Sequence, residues 1–190
     1  MKSAQTANQF GGRGIGSIFF AVFGAVWLAL SLYALERFTF VAALAILLGL
    51  AILLLTALHL LRLAKRWPRV PDDPAMGRAF GWINAIQWIA VAVVAITFAK
   101  LHIDAYVMSA ITAIIGLHMF PLARLFHYPL HYATGAVLVA WAAASAILLP
   151  TDRMQGTAAL GTGIILWLSA AVTLTLALKG ARQSPDPLTY

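Results

Sequence analysis

The stretch TFVAALAILLGLAILLLTALHLLR, Thr39 to Arg62, carries no charge before its last residue and a single histidine, His59, near its end. As an α-helix rising 1.5 Å per residue it reaches about 36 Å, enough to cross roughly 30 Å of hydrocarbon. Five further apolar stretches can be read the same way, at about 15–35, 79–99, 104–125, 132–150 and 156–178. Inside a bilayer the backbone amides find partners only within a helix or a closed barrel, and nothing here alternates like barrel strands. The expected fold class is therefore all-α: a polytopic membrane protein with six transmembrane helices.

Composition agrees. The 190 residues are 62% hydrophobic and 10% charged, with a mean hydropathy of +0.88, and a soluble domain of this size needs a charged surface that these residues cannot supply. The net charge is +7, and its placement argues against nucleic acid. Lys2, Arg13, Arg62, Lys65, Arg66, Arg69, Arg78, Arg124, Lys179 and Arg182 fall at the N-terminus, in the second and fourth loops, and at the C-terminus. The odd-numbered loops hold Arg37, Lys100 and Arg153, each near Glu36, Asp104 or Asp152. Ten basic residues against three place both termini in the cytoplasm of a bacterial-type inner membrane. The expected partners are the lipid bilayer and its anionic headgroups, not nucleic acid. A homo-oligomer is compatible with the sequence.

There is no cysteine, which removes disulfides, thiolate metal sites and a cysteine nucleophile. The first apolar stretch is too long for a signal-peptide core and shows no small-x-small cleavage site before Glu36, so it is read as a span. Arg62–Arg78 is the longest polar stretch, and Pro68, Pro71 and Pro74 deny it a continuous helix. The short odd-numbered loops make helices one and two, three and four, and five and six antiparallel neighbours. The chain is expected to be one integral membrane domain over residues 1–190, built from hairpins at about 12–66, 77–125 and 131–182.

The first two hairpins share motifs. Gly12-Arg13-Gly14-Ile15-Gly16 and Gly77-Arg78-Ala79-Phe80-Gly81 open them with a common G-R-x-x-G spelling. Leu58-His59…Leu63-Ala64-Lys65 and Leu117-His118…Leu122-Ala123-Arg124 close them. Shared order and register argue for an internal repeat. In the third hairpin His131-Tyr132-Ala133-Thr134-Gly135 stands in the place of G-R-x-x-G, and Thr173 in the place of the histidine.

His59 and His118 lie one and a half turns inside a terminal cation, a depth at which a titratable group usually faces protein or a water-filled cavity. The repeat brings Arg13 towards His59 and Arg78 towards His118. Asn84 and Gln87, one turn apart on helix three, should point into the bundle, because an unpaired amide in hydrocarbon costs several kcal/mol. These six residues, Arg13, His59, Arg78, Asn84, Gln87 and His118, are expected to border a polar cavity or ligand site open to the cytoplasm. The bland alternative is that the same groups only join helices. Two histidines without a carboxylate make an incomplete metal site, so no metal is expected; His59 and His118 are the weak candidates for one, or for haem. No cofactor is expected.

His127 and His131 flank Pro129 in an interfacial turn over Arg124–Tyr132, and His102 sits in a solvated outer turn. Four small-residue pairs, Gly12/Gly16, Gly77/Gly81, Ala45/Gly49 and Ala159/Gly163, mark where helices can approach closely. Trp27, Trp82, Trp88, Trp141 and Trp167 read mostly as lipid-facing or interfacial anchors. No Asp or Glu lies inside a span, which argues against a carboxylate-driven pump. No nucleophile elbow, metalloprotease, P-loop or dinucleotide pattern is present, so the chain leans away from being an enzyme.

Gly116-Leu117-His118-Met119-Phe120-Pro121-Leu122-Ala123-Arg124 resembles a stretch found in small bacterial six-helix membrane proteins that carry no assigned function. The three-hairpin layout is loosely similar to that of the acid-resistance membrane protein family, a likeness that implies architecture and transfers no functional residue. The leading functional expectation is a small transport or channel-like protein with a cytoplasmic-side Arg/His mouth. The alternatives are a non-enzymatic structural or accessory membrane protein, and a membrane-embedded haem binder or enzyme using His59 and His118.

Overall fold

A computed structural model describes residues 2–67, 71 and 73–183, the first six of these by backbone alone; Pro68, Arg69, Val70 and Asp72 of the long loop lie outside the described residues. The described residues form six α-helices and one 3₁₀ turn, with no strand among them. They are α1 (Lys2–Ala34), α2 (Phe40–Ala64), α3 (Pro74–Lys100), α4 (Val107–Leu125), α5 (Leu130–Leu148) and α6 (Thr151–Gln183), the short turn Asp104–Tyr106 preceding α4. All six helices are long and apolar enough to cross a membrane.

The helix limits follow from local chemistry. Thr39 caps α2 by accepting the Ala42 N–H at 3.2 Å. Asp73 caps α3 by accepting the Ala75 N–H at 2.8 Å, with Pro74 in the first turn, where its missing N–H costs nothing. Helices α1, α3 and α4 end on residues in the left-handed conformation, Glu36 (φ 55°), His102 (φ 57°) and His127 (φ 49°). At α4 the Tyr128 N–H reaches back to the Ala123 carbonyl at 3.0 Å and the His127 N–H to Arg124 at 3.3 Å, a Schellman turn. Glycine is the usual residue at this position, so these ends carry none of the ordinary stop signal. Three helices also run further than hydropathy suggested: α1 starts at Lys2, α3 starts at Pro74 inside the stretch expected to be loop, and α6 runs from Thr151 to Gln183.

Helix α6 is the axle of the bundle. It packs against α1, α2, α4 and α5, while α3 packs against α4 and the 3₁₀ turn, and no residue of α3 is buried. The most extensive contacts join α1 to α6 and α4 to α5, two pairs that the hairpin expectation does not join. Helix α1 presents Phe10, Gly14, Ser17, Ala21, Gly24, Leu28 and Ser31 inward, alternately four and three residues apart. One apolar core gathers Phe10, Ala57, Leu60, Ala170 and Leu174 between α1, α2 and α6. A second gathers Trp27, Met119, Leu138 and Leu166 between α1, α4, α5 and α6. Phe10 also packs on Trp67, ring centroids 5.5 Å apart, and lies beside Gly180. The start of α1 and the end of α6 thus share one end of the bundle, called the terminal end below. At the opposite end Gln155 donates to the Asp104 carbonyl at 2.9 Å.

Of the expected small-residue pairs, Gly49 and Gly163 do mark close approach, while the G-R-x-x-G glycines do not. A methyl group built on Gly12, Gly16, Gly77 or Gly81 would meet nothing within 4 Å. One on Gly116 would meet the Gly135 carbonyl at 2.9 Å, and one on Gly163 the Gly24 carbonyl at 2.9 Å. The tryptophans are corrected in the same way. Trp82 and Trp88 are exposed and Trp27 is buried. Trp141 donates to the Ala158 carbonyl at 3.1 Å and Trp167 to Ala21 at 2.9 Å. Those two indoles sit between helices because their N–H groups find carbonyls there, which is the usual outcome for a buried tryptophan.

Candidate functional site at the terminal end of the bundle

The face of α6 that carries Thr162, Ser169 and Thr173 turns towards α4 and α5 and meets hydroxyls on each. Thr112 and Thr162 share a bond of 2.7 Å, and Thr134 and Ser169 one of 2.9 Å. Tyr128 donates to Thr173 at 3.3 Å. Ser109 and Ser145 join α4 to α5 at 2.8 Å. Thr112, Thr134 and Thr162 also bond the carbonyl four residues back on their own helices, and Ser145 the carbonyl three back. The result is a column of paired hydroxyls along the bundle, interrupted between Thr162 and Ser169 where buried Leu138 and Leu166 pack.

At the terminal end this column opens onto the most polar cluster. The Arg13 guanidinium lies 5.0 Å from the centre of the Tyr128 ring, within cation–π range. His131, in the first turn of α5, is ringed by Tyr128 at 5.1 Å, Phe20 at 5.7 Å and Phe126 at 6.5 Å. His118 approaches it from α4 and faces the backbone of Ile83 on α3. Two buried polar atoms here find no partner: His131 Nδ1 and Ser17 Oγ. Ser17 lies one turn before Phe20 on the α1 face that also carries Arg13. Orphaned buried groups are few in folded proteins and mark places where water or a ligand belongs.

The six residues nominated from the sequence do not share one cavity. Arg13 and His118 join this cluster. His59 is exposed, on the side of α2 away from its buried Leu53, Ala57, Leu60 and Ala64, because a two-residue step from Ala57 turns about 200° around a helix. Arg78 is exposed. Asn84 is half-buried and donates to the Phe80 carbonyl of its own helix at 2.7 Å. Gln87 is half-buried on the stripe that also carries Ile83 and Val94. Arg13 is aimed at Tyr128 rather than at His59, and His59 and His118 stand on α2 and α4, which meet α6 separately. The members missed from sequence are Tyr128, His131, Thr134 and Ser169. Their signal was present in the third hairpin, where His131 and Thr173 replace the repeat's motif residues. The alternation of polar residues with Pro129 made that segment look like a surface turn.

The cluster offers hydrogen-bond donors, one guanidinium and two imidazoles, and no carboxylate. Among the described residues no three His, Asp or Glu side chains are placed to hold a metal ion. The backbones of α4 and α5 approach closely at Gly116 and Gly135, about one turn from His118 and His131. No family model, curated protein or solved structure matches the chain.

The hydroxyl column makes a measurable claim about stability. Replacing Thr112 and Thr162 by valine, singly and together, should reveal a coupling of about 0.6–1.7 kcal/mol in unfolding from detergent micelles, the range for interhelical hydrogen bonds in membranes. A coupling of zero would show that each hydroxyl is satisfied by its own helix alone.

Proposed function

We propose that this chain is a non-enzymatic structural or accessory protein of a bacterial-type inner membrane, its termini cytoplasmic and its six helices grouped as three hairpins. The ten-to-three asymmetry of basic residues supports the orientation. The order of the G-R-x-x-G and L-H-x-x-x-L-A motifs supports a duplication of residues 12–66 and 77–125. The unlike surroundings of His59, exposed on α2, and His118, half-buried on α4, count against it. The observation that carries the functional reading is the pairing of hydroxyls across α4, α5 and α6. Polar groups bonded to one another act as interhelical glue, and Leu138 and Leu166 close the bundle between the two halves of the column.

A second reading, a transport or channel-like protein, is favoured by one specific feature. The buried His131 Nδ1 and Ser17 Oγ find no partner in the cluster that Arg13 joins through Tyr128, and unpartnered groups of this kind attract water or an anion. One experiment separates the readings. The purified chain in liposomes, under an imposed proton or chloride gradient, should leak no faster than protein-free vesicles, and His131→Phe should change nothing. Flux an order of magnitude above that background, lost in His131→Phe and retained in His59→Phe, would replace the structural reading by the transport one.

A further inference from the structure

Helix α3 is held along one side only, and a groove of about 890 Å³ runs between its first turns and the last turns of α4. We propose that this groove binds an anionic phospholipid, with Arg124 and His127 taking the phosphate and Met76, Ile83, Phe120 and Pro121 receiving the upper part of an acyl chain. The division of chemistry along the groove carries the assignment. Its polar groups, Arg124, His127 and Asp73, stand at the helix ends, and its floor is apolar. From Asp73 to Ile83 the groove runs about 15 Å along α3, the length of a headgroup and the first part of a chain. Phe80 against Phe126, ring centroids 5.8 Å apart, holds the two segments together, and His118 of α4 faces the Ile83 backbone at the deep end.

Charge complementarity selects an anionic lipid over a neutral one. Among the described residues the one ion pair is Arg153 with Asp152, so Arg124 has no carboxylate partner there. Asp73 lines the same groove, but its carboxylate already accepts the Ala75 N–H and faces the positive end of α3. Arg124 and His127 are both exposed, and both line the rim of the groove, the Schellman turn joining their backbones through the His127 N–H and the Arg124 carbonyl. A phospholipid matches this pattern, one charged end and an apolar remainder, and it reaches the groove by lateral diffusion past an α3 surface that already faces outward, with Met76 40% and Trp82 71% exposed. The inference rests on the six helices spanning a membrane and is independent of whether the bundle is structural or conducting.

The test uses the full-length protein purified from nanodiscs of phosphatidylcholine with a minority of phosphatidylglycerol, the retained lipid being counted by native mass spectrometry. Wild type should retain phosphatidylglycerol several-fold over its share. The double variant Arg124→Gln/His127→Gly should fall to the bulk ratio, the glycine keeping the left-handed turn intact. Arg182→Gln should retain the preference, and so should Arg124→Lys, which guards against a loss caused by misfolding. Retention at the bulk ratio by wild type, or a preference that survives the double variant, would overturn the assignment. So would displacement of the lipid by inorganic phosphate alone, which would make the groove a free-anion site, or a second copy of the chain in place of the lipid.

Discussion

Trp167→Ala is expected to lower the stability of the bundle in detergent by about 3–4 kcal/mol. The indole is a wedge from α6 that enters between α1 and α2. Gly24 on α1 and Gly49 on α2 flank it so closely that a methyl group on either would overlap its ring, and its Nε1 donates to the Ala21 carbonyl at 2.9 Å. In a membrane, separated helices bury their side chains in lipid, so the transfer term of a large-to-small substitution largely cancels and the cavity term remains. Losing about 140 Å³ at roughly 24 cal/mol per Å³ gives about 3 kcal/mol, and the lost hydrogen bond adds about 0.6 kcal/mol. Trp167→Phe keeps most of the volume and should lose about 1 kcal/mol. Trp82→Ala is the control, since that side chain is 71% exposed on α3 and should leave stability nearly unchanged. Unfolding by a denaturing detergent, read by tryptophan-independent far-ultraviolet dichroism, gives the comparison. Equal losses for positions 167 and 82 would show that the wedge contributes nothing.

Gly135→Val should cost a similar amount by the opposite route. Where α4 crosses α5, a methyl group on Gly135 would meet the Gly116 carbonyl at 2.6 Å and the Met119 Cβ at 3.0 Å. Gly116 faces the reciprocal contact, with the Val139 backbone nitrogen at 2.9 Å. Backbone atoms cannot swing aside as a flexible side chain does, so the helices must separate. The Ser109–Ser145 bond between the same two helices, 2.8 Å long, is then stretched as well. Overpacking of this kind costs about 1–3 kcal/mol, and valine, with two further methyls at the contact, belongs at the upper end. Gly81→Ala sets the contrast. Nothing lies within 4 Å of its new methyl group, and alanine is the better helix former by about 1 kcal/mol, so it should be neutral or stabilising. Thermal unfolding of both variants in one detergent checks the sign of each. A stable Gly135→Val would mean that α4 and α5 are free to shift past each other.

The part of this structure legible in the sequence is the part that adds up locally. Thr39–Arg62 reads as a span because length and hydropathy are sums over neighbouring residues, and α2 indeed runs Phe40–Ala64. The caps Thr39 and Asp73 are equally local, but the start of α3 at Pro74 falls five residues before the expected limit, because a proline that reads as a breaker serves here as a first-turn residue. The ends of α1, α3 and α4 were less so, because Glu36, His102 and His127 occupy positions where a glycine would have announced the turn.

Of the candidate site, Arg13 and His118 were legible, since a charge or imidazole within an apolar stretch stands out against any background. Tyr128, His131, Thr134 and Ser169 were not, because each acquires meaning only from a residue at least 35 positions away or from a ring on another helix. His59 shows the limit most clearly. It shares its motif with His118, yet one faces outward and the other meets Ile83. By itself the sequence determined that there are six helices long and apolar enough to cross a membrane and where the apolar part of each lies. Only the tertiary structure decided which side of each helix faces inward: why Trp167 is a wedge while Trp82 is exposed, and why Gly135 is a contact while Gly81 is open. The physical reason is that lipid is as apolar as a packed leucine. In water the inward face of a helix must be greasier than the outward one, and a sequence displays it. In a bilayer that contrast vanishes, and the inward face is chosen by shape and by the pairing of a few hydroxyls.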